Sequence, residues 1–278
     1  MKFGMHNISY KLPKKIWKMI EPVKTDKVDF LSIFLFKKMI QAGVIEKAVI
    51  LVVENSLGNP RITKGRYAHL DALARRSSSG FVSTFKNSKD VIYQMSGLLV
   101  RPVNEVLEDL GKIKLTVLKT HTEFNQYGKI EDIKGLDTNK IYELICAKIP
   151  ESSIIIAEIS SIEALNELVG LLLPKVDGDN VAISTLIGYK DGAKVPTFPI
   201  PPVASPSWKV VGPKVVEDLS VEHPMLYITA SKFLTRVDKV QNFDEDDIEE
   251  NYCMVCEPIC QYFREFTYYT GSSWKYGA

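Results

Sequence analysis

Apolar residues recur along this chain with two different periods, and the changes between them mark its elements. Residues 47–54 include an unbroken run, Ala48, Val49, Ile50, Leu51, Val52 and Val53, of the kind a strand covered on both faces shows. Before it, Phe30, Ile33, Phe34, Met39 and Ile40 give residues 29–42 a wide apolar helical face, with Gly43 as a stop. A short helix is predicted over 67–76, ended by Ser77, Ser78, Ser79 and Gly80. Residues 81–85 and 91–95 alternate as strands do, and 102–110 has helical spacing. In 112–124, Ile113, Leu115 and Val117 point one way and Lys112, Lys114 and Thr116 the other, predicting a half-buried antiparallel strand.

The second half reads similarly. Strands are predicted over 141–149, 154–159 and 181–189. Ile162, Leu165, Leu168, Val169 and Leu172 make 161–172 a helix, with Ser160 or Ser161 as its N-cap and Pro174 as its stop. Residues 193–213 change texture, with Pro196, Pro199, Pro201, Pro202, Pro206 and Pro213 making a long strap that is the best candidate boundary. After a strand over 226–229, Asp244, Glu245, Asp246, Asp247, Glu249 and Glu250 crowd into one acidic loop. Like charges at that density are expected to be solvated or paired with cations. The Tyr- and Trp-rich tail, 262–276, is expected to fold back on the core or dock on a neighbour.

These elements predict an α+β fold: a mixed or antiparallel sheet with helices packed on one side, an N-terminal arm over 1–25 and an aromatic C-terminal tail, in one compact domain. The 45% hydrophobic and 25% charged content excludes a disordered chain, because enough apolar surface can be buried to offset the ordering entropy. Apolar stretches such as 48–53 and 170–173 fall far short of the ~20 residues that span a bilayer. A soluble, cytoplasmic protein without a transmembrane segment is expected.

Charge changes the picture more than composition does. The net charge is only +1, yet residues 1–100 carry 17 Lys or Arg against 7 Asp or Glu, and residues 101–278 carry 18 against 27. A chain so divided can steer a polyanion or join copies of itself, basic side to acidic side. Arg61, Lys64, Arg66, Tyr67, Arg75, Arg76, Lys86 and Lys89 are the candidate nucleic-acid contacts, cations for phosphates interleaved with aromatic platforms for single-stranded RNA. Lys14, Lys15, Trp17 and Lys18, in a short basic amphipathic arm, are the candidate contacts of a homo-oligomer. The same arm has the character to touch a membrane surface.

Motifs for chemistry are sparse. The loop after residue 54 lacks the spaced glycines and Gly-Lys-Ser/Thr ending of a phosphate-binding loop. His6, His69, His121 and His223 form no HExxH pair, and no GxSxG is present. Cys253, Cys256 and Cys260 are closely spaced, but they lack a second ligand pair and follow an acidic run that would raise a thiol pKa. Ordinary buried cysteines are expected, with neither metal nor cofactor. The functional expectation is therefore a non-catalytic, self-assembling viral structural protein of nucleocapsid or coat type that binds RNA. The alternatives are an enzyme with a carboxylate-based site and a scaffold or matrix-like protein that binds no nucleic acid.

Overall fold

The computed structural model describes residues 45, 47–58, 62, 65–85, 91–96, 113–119, 129–178, 180–190, 193, 210–211, 214–215, 221–232, 237–251 and 254–271. All belong to one unit, Gly43–Ala278. The helix expected at 29–42, the arm with Lys14, Lys15, Trp17 and Lys18, the helix at 102–110 and most of the proline-rich strap lie outside the described residues.

In chain order the elements are β1 (Lys47–Leu57), α1 (Ala68–Ala74), β2 (Ser78–Phe85), α2 (Val91–Ser96), β3 (Leu115–Lys119), β4 (Lys129–Asp132), α3 (Thr138–Lys148), β5 (Ile154–Glu158), α4 (Ile162–Gly178) and β6 (Val181–Tyr189). A two-residue pair follows, β7 (Val210–Val211) and β8 (Lys214–Val215). Then come β9 (Val221–Ala230), α5 (Glu245–Asn251), β10 (Met254–Pro258) and α6 (Ile259–Tyr269).

Among the described residues eight strands form one sheet in the order β10-β2-β9-β6-β1-β5-β3-β4. β9 runs antiparallel to both of its neighbours, and every other adjacent pair is parallel. The α+β expectation of a mixed sheet with packed helices thus holds, except that the helices are not confined to one side. Helices stand on both faces. Val49, Leu51 and Val53 of β1 face a core shared with α1, α3, α4 and α5, whereas Ala48, Ile50 and Val52 face a second core shared with α2 and α6. Burial on both faces is why β1 reads as a continuous apolar run. The aromatic tail folds back as α6, burying Tyr262, Phe263 and Phe266, with the Tyr262 hydroxyl 2.5 Å from Ser184 Oγ.

Four sequence expectations change. β3 is parallel to β4 and β5, not antiparallel. On the side read as polar Lys114 is exposed, but Thr116 is buried because its Oγ1 meets Ser152 Oγ at 2.7 Å. Residues 141–149 belong to helix α3: Ile141 and Ile145, four apart, bury one face, and the Asp137 carboxylate caps it by accepting from Lys140 N at 2.9 Å. Residues 91–95 form α2, with Val91, Ile92 and Met95 on its buried side. α4 continues past Pro174, because buried Val176 anchors the last turn to the core, offsetting the ~3 kcal/mol an internal proline costs. Asn180, at φ 53°, then turns the chain directly into β6.

Candidate functional site

In an open α/β sheet the carboxyl ends of the parallel strands are where ligands settle. Two carboxylates arrive there on neighbouring strands. Glu158 continues the row Ile154, Ile156 at the end of β5 and sits in register with Val52 of β1. Glu54 lies two residues beyond Val52, where β1 leaves its regular register with β6, and is exposed. Glu158 is half-buried, and its Oε2 is buried without a hydrogen-bond partner among the described residues. An acceptor left that way costs about 1–3 kcal/mol, so its persistence calls for a reason. Thr185 Oγ1 is also unpartnered, but it lies mid-strand, facing the helix-covered core and away from this edge.

The chain around these carboxylates is held by others. Leu57 is paired with Tyr189 of β6, and Lys190 N donates to Leu57 O at 3.0 Å. Gly58, at φ +91°, is pressed so closely on β6's outgoing turn that a Cβ there would lie 2.5 Å from Ala193 Cβ. Glu245, only 3% exposed, accepts from Gly58 N at 3.3 Å and Ile62 N at 3.1 Å through one oxygen, Oε1. Asp71 Oδ1 accepts from Phe243 N at 2.7 Å, and Asp238 Oδ2 from Ser79 N at 2.6 Å and Ser79 Oγ at 2.5 Å. Burial alone would raise Asp247, but donation from Gln241 N, the Asn242 amides and Asn251 outweighs it and holds this carboxyl below its ordinary value. The acidic loop expected to be solvated or paired with cations is thus partly an inward-facing strap ending in α5. Its carboxylates resist mutual repulsion by binding backbone N–H groups.

The basic residues behave differently. Tyr67 is a core residue, 5% exposed, packed edge-on to Phe243 and donating to Glu163 Oε1 at 2.9 Å. Burial, and then the Glu163 carboxylate, raises the Tyr67 hydroxyl above its ordinary pKa, while that hydrogen bond holds Glu163 low. Arg66 lies 5.2 Å over the Tyr67 ring and 3.8 Å from Glu163. Arg76 forms a two-pronged pair with Asp177 at 2.6 and 3.1 Å, which holds the Asp177 carboxyl low. Arg75 is exposed. Arg61, Lys64, Lys86 and Lys89 lie outside the described residues. Phe81, an aromatic residue lying between these cations in the sequence, is buried in the core. His69 covers Gly170 of α4, where a Cβ would come within 2.7 Å of the imidazole, so it serves the α1–α4 contact.

Cys260 is buried at the start of α6 and Cys146 is half-buried on α3, both as free thiols. Among the described residues no three His, Cys, Asp or Glu side chains group as metal ligands. No helix among them is long and apolar enough to cross a membrane.

No family model and no curated protein matches the sequence. Solved structures do match the fold. The PH0037 protein from Pyrococcus horikoshii superposes with a TM-score of 0.53 at 11% identity, over 84% of this chain and 99% of its own. A cofactor-independent phosphoglycerate mutase from Thermoplasma acidophilum matches at TM-score 0.48 and 9% identity, over 79% and 98% of the two chains. The lipoteichoic acid synthase LtaP from Listeria monocytogenes matches at 0.45 and 10%, over 87% and 78%. At such identities what is shared is the fold.

The likeness overturns the expectation of a non-catalytic viral coat or nucleocapsid protein that binds RNA. The PH0037 protein, whose fold this chain shares, does not carry the name of such a protein. The physical reason lies in the pairing above: Tyr67 and Phe81 are inside, and Arg66 and Arg76 face carboxylates of α4. Glu158 did not stand out in the sequence, and Glu245 did so only as one of six acids in a loop expected to be solvated or paired with cations. The one available signal was Glu158 as a charge closing an otherwise apolar strand.

Proposed function

We propose that this protein is an enzyme with a carboxylate-based site at the carboxyl ends of β1 and β5, where Glu158 and Glu54 divide the acid–base work. The unpartnered, buried Glu158 Oε2 carries this reading. An acceptor oxygen held without a donor is completed by a substrate or water that brings one, such as a hydroxyl or amine. Glu158 then takes that proton as the bond at the donor atom is made or broken, and exposed Glu54 serves the solvent side. The reaction class is hydrolysis or group transfer on a small polar substrate. A reducing cytoplasm suits the free thiols Cys146 and Cys260.

Two measurements test it. Turnover of chromogenic phosphate, sulfate, carboxylate and glycoside esters should fall about 10²–10⁴-fold in Glu158→Gln. Independently of substrate, Glu158→Leu should raise the melting temperature, since it removes a buried, unsatisfied acceptor while keeping similar volume. A Glu158→Leu protein less stable than wild type would mean that the carboxylate serves the fold, and the site reading would fail.

A further inference from the structure

Resting on that reading for what Glu54 does, we infer that Glu245 is the positioning residue for Glu54, acting through the irregular end of β1. From Val53 to Leu57 β1 advances four residues while β6, from Ile187 to Tyr189, advances two. The two extra residues make the backbone of Glu54, Asn55 and Ser56 arch out of the ladder. Ser56 Oγ donates to Glu54 O at 3.2 Å within the arch. Bulges of this kind re-aim a side chain at a sheet edge, and they interrupt the ladder bonds that would otherwise fix it.

An arch stays in place only if both feet are fixed. Its near foot is Val53, still in register on β6. Its far foot is Leu57–Gly58, where Leu57 is paired with Tyr189 of β6 and a second fastening comes from 187 residues downstream. Glu245 Oε1 accepts from Gly58 N, and the same oxygen accepts from Ile62 N. The carboxylate is almost wholly buried, so water competes little for these charge-assisted bonds. Gly58 has no side chain to hold it by, and its close approach to Ala193 and Tyr189 leaves no room for one. Fastening through the backbone N–H is what remains. Loss of the acceptor leaves the far foot held by the Leu57 pairing alone, and Glu54 loses part of the restraint on its place.

The test compares Glu245→Ala, Glu245→Asp and Glu245→Gln by amide hydrogen exchange and by turnover of the best ester of the panel. Glutamine keeps an acceptor oxygen at the same reach; aspartate keeps the charge but is one methylene short, and serves if the alanine variant does not fold. Exchange at Gly58 and Ile62 should quicken in the alanine and aspartate variants, with Val49–Val53 unchanged, and glutamine should restore protection. kcat/KM should fall about 10–100-fold in Glu245→Ala, as expected when a reacting group is misplaced by an ångström or so. In a Glu54→Gln background the same change should cost nothing further, because both act through one group. The exposed neighbour change Asp246→Asn should leave turnover unaltered. Unchanged exchange at Gly58 and Ile62 overturns the inference whether or not a substrate is found. So does a Glu245→Ala loss that is undiminished in the Glu54→Gln background. A Glu158→Gln variant with full turnover instead refutes the site reading and leaves the exchange result to stand alone.

Discussion

The α1–α4 seam and the strap that leads into α5 are both dense in charge, yet they spend it differently. At the seam, side chain meets side chain: Arg66 and Tyr67 with Glu163, Arg76 with Asp177. Along the strap, Asp238, Glu245 and Asp247 take up backbone N–H groups of β2, of the segment after β1 and of the strap itself. Exposed ion pairs are screened and contribute little. A buried carboxylate that collects amides fixes the path of the main chain. Charge in the first region is surface finish; in the second it decides where the β1 arch stands.

The sharpest way to break that contrast is at Gly58. Gly58→Ala forces a Cβ onto Ala193 at a positive φ and should cost about 2–4 kcal/mol in chemical denaturation. Gly65 also has positive φ, at +80°, but open space around it, so Gly65→Ala should cost only about 1 kcal/mol. Equal losses would mean that the segment after β1 is not tightly placed.

A smaller effect is expected at Asp247. Its folded pKa lies below the unfolded value of about 3.9, so its contribution is present above that pH and is lost as pH falls through the folded value. Asp247→Asn should cost about 1 kcal/mol at pH 7, allowing for solvent screening, and should flatten the acid limb of a stability–pH curve below about pH 4. An unchanged acid limb would show that the strap is not held by this charge. The smallest effect belongs to the seam. Arg76→Ala should leave the melting temperature unaltered within error, and a clear drop would erase the distinction between the two regions.

Much of the fold was legible because burial on both faces writes itself into consecutive residues. The runs at Ala48 to Val53 and Ile154 to Ala157 announced central strands, and the spacing from Ile162 to Leu172 announced α4. Alternation misled where a polar side was buried by a private partner, as Thr116 is by Ser152. Short apolar runs misled where length could not separate strand from helix, as in α2 and α3. The site was less legible still. Glu54 and Glu158 are 104 positions apart, and only the register Val52 to Glu158 makes them neighbours.

Local pattern therefore determined which segments of this protein are apolar enough to be central strands and that α1 and α4 are helices, because burial acts residue by residue. Tertiary structure alone decided the direction of β3, the inward path of the acidic strap and the meeting of Glu245 with the Gly58 amide. Each depends on a partner more than thirty residues away. A carboxylate's role is set by what donates to it, and no spacing in the chain carries that information.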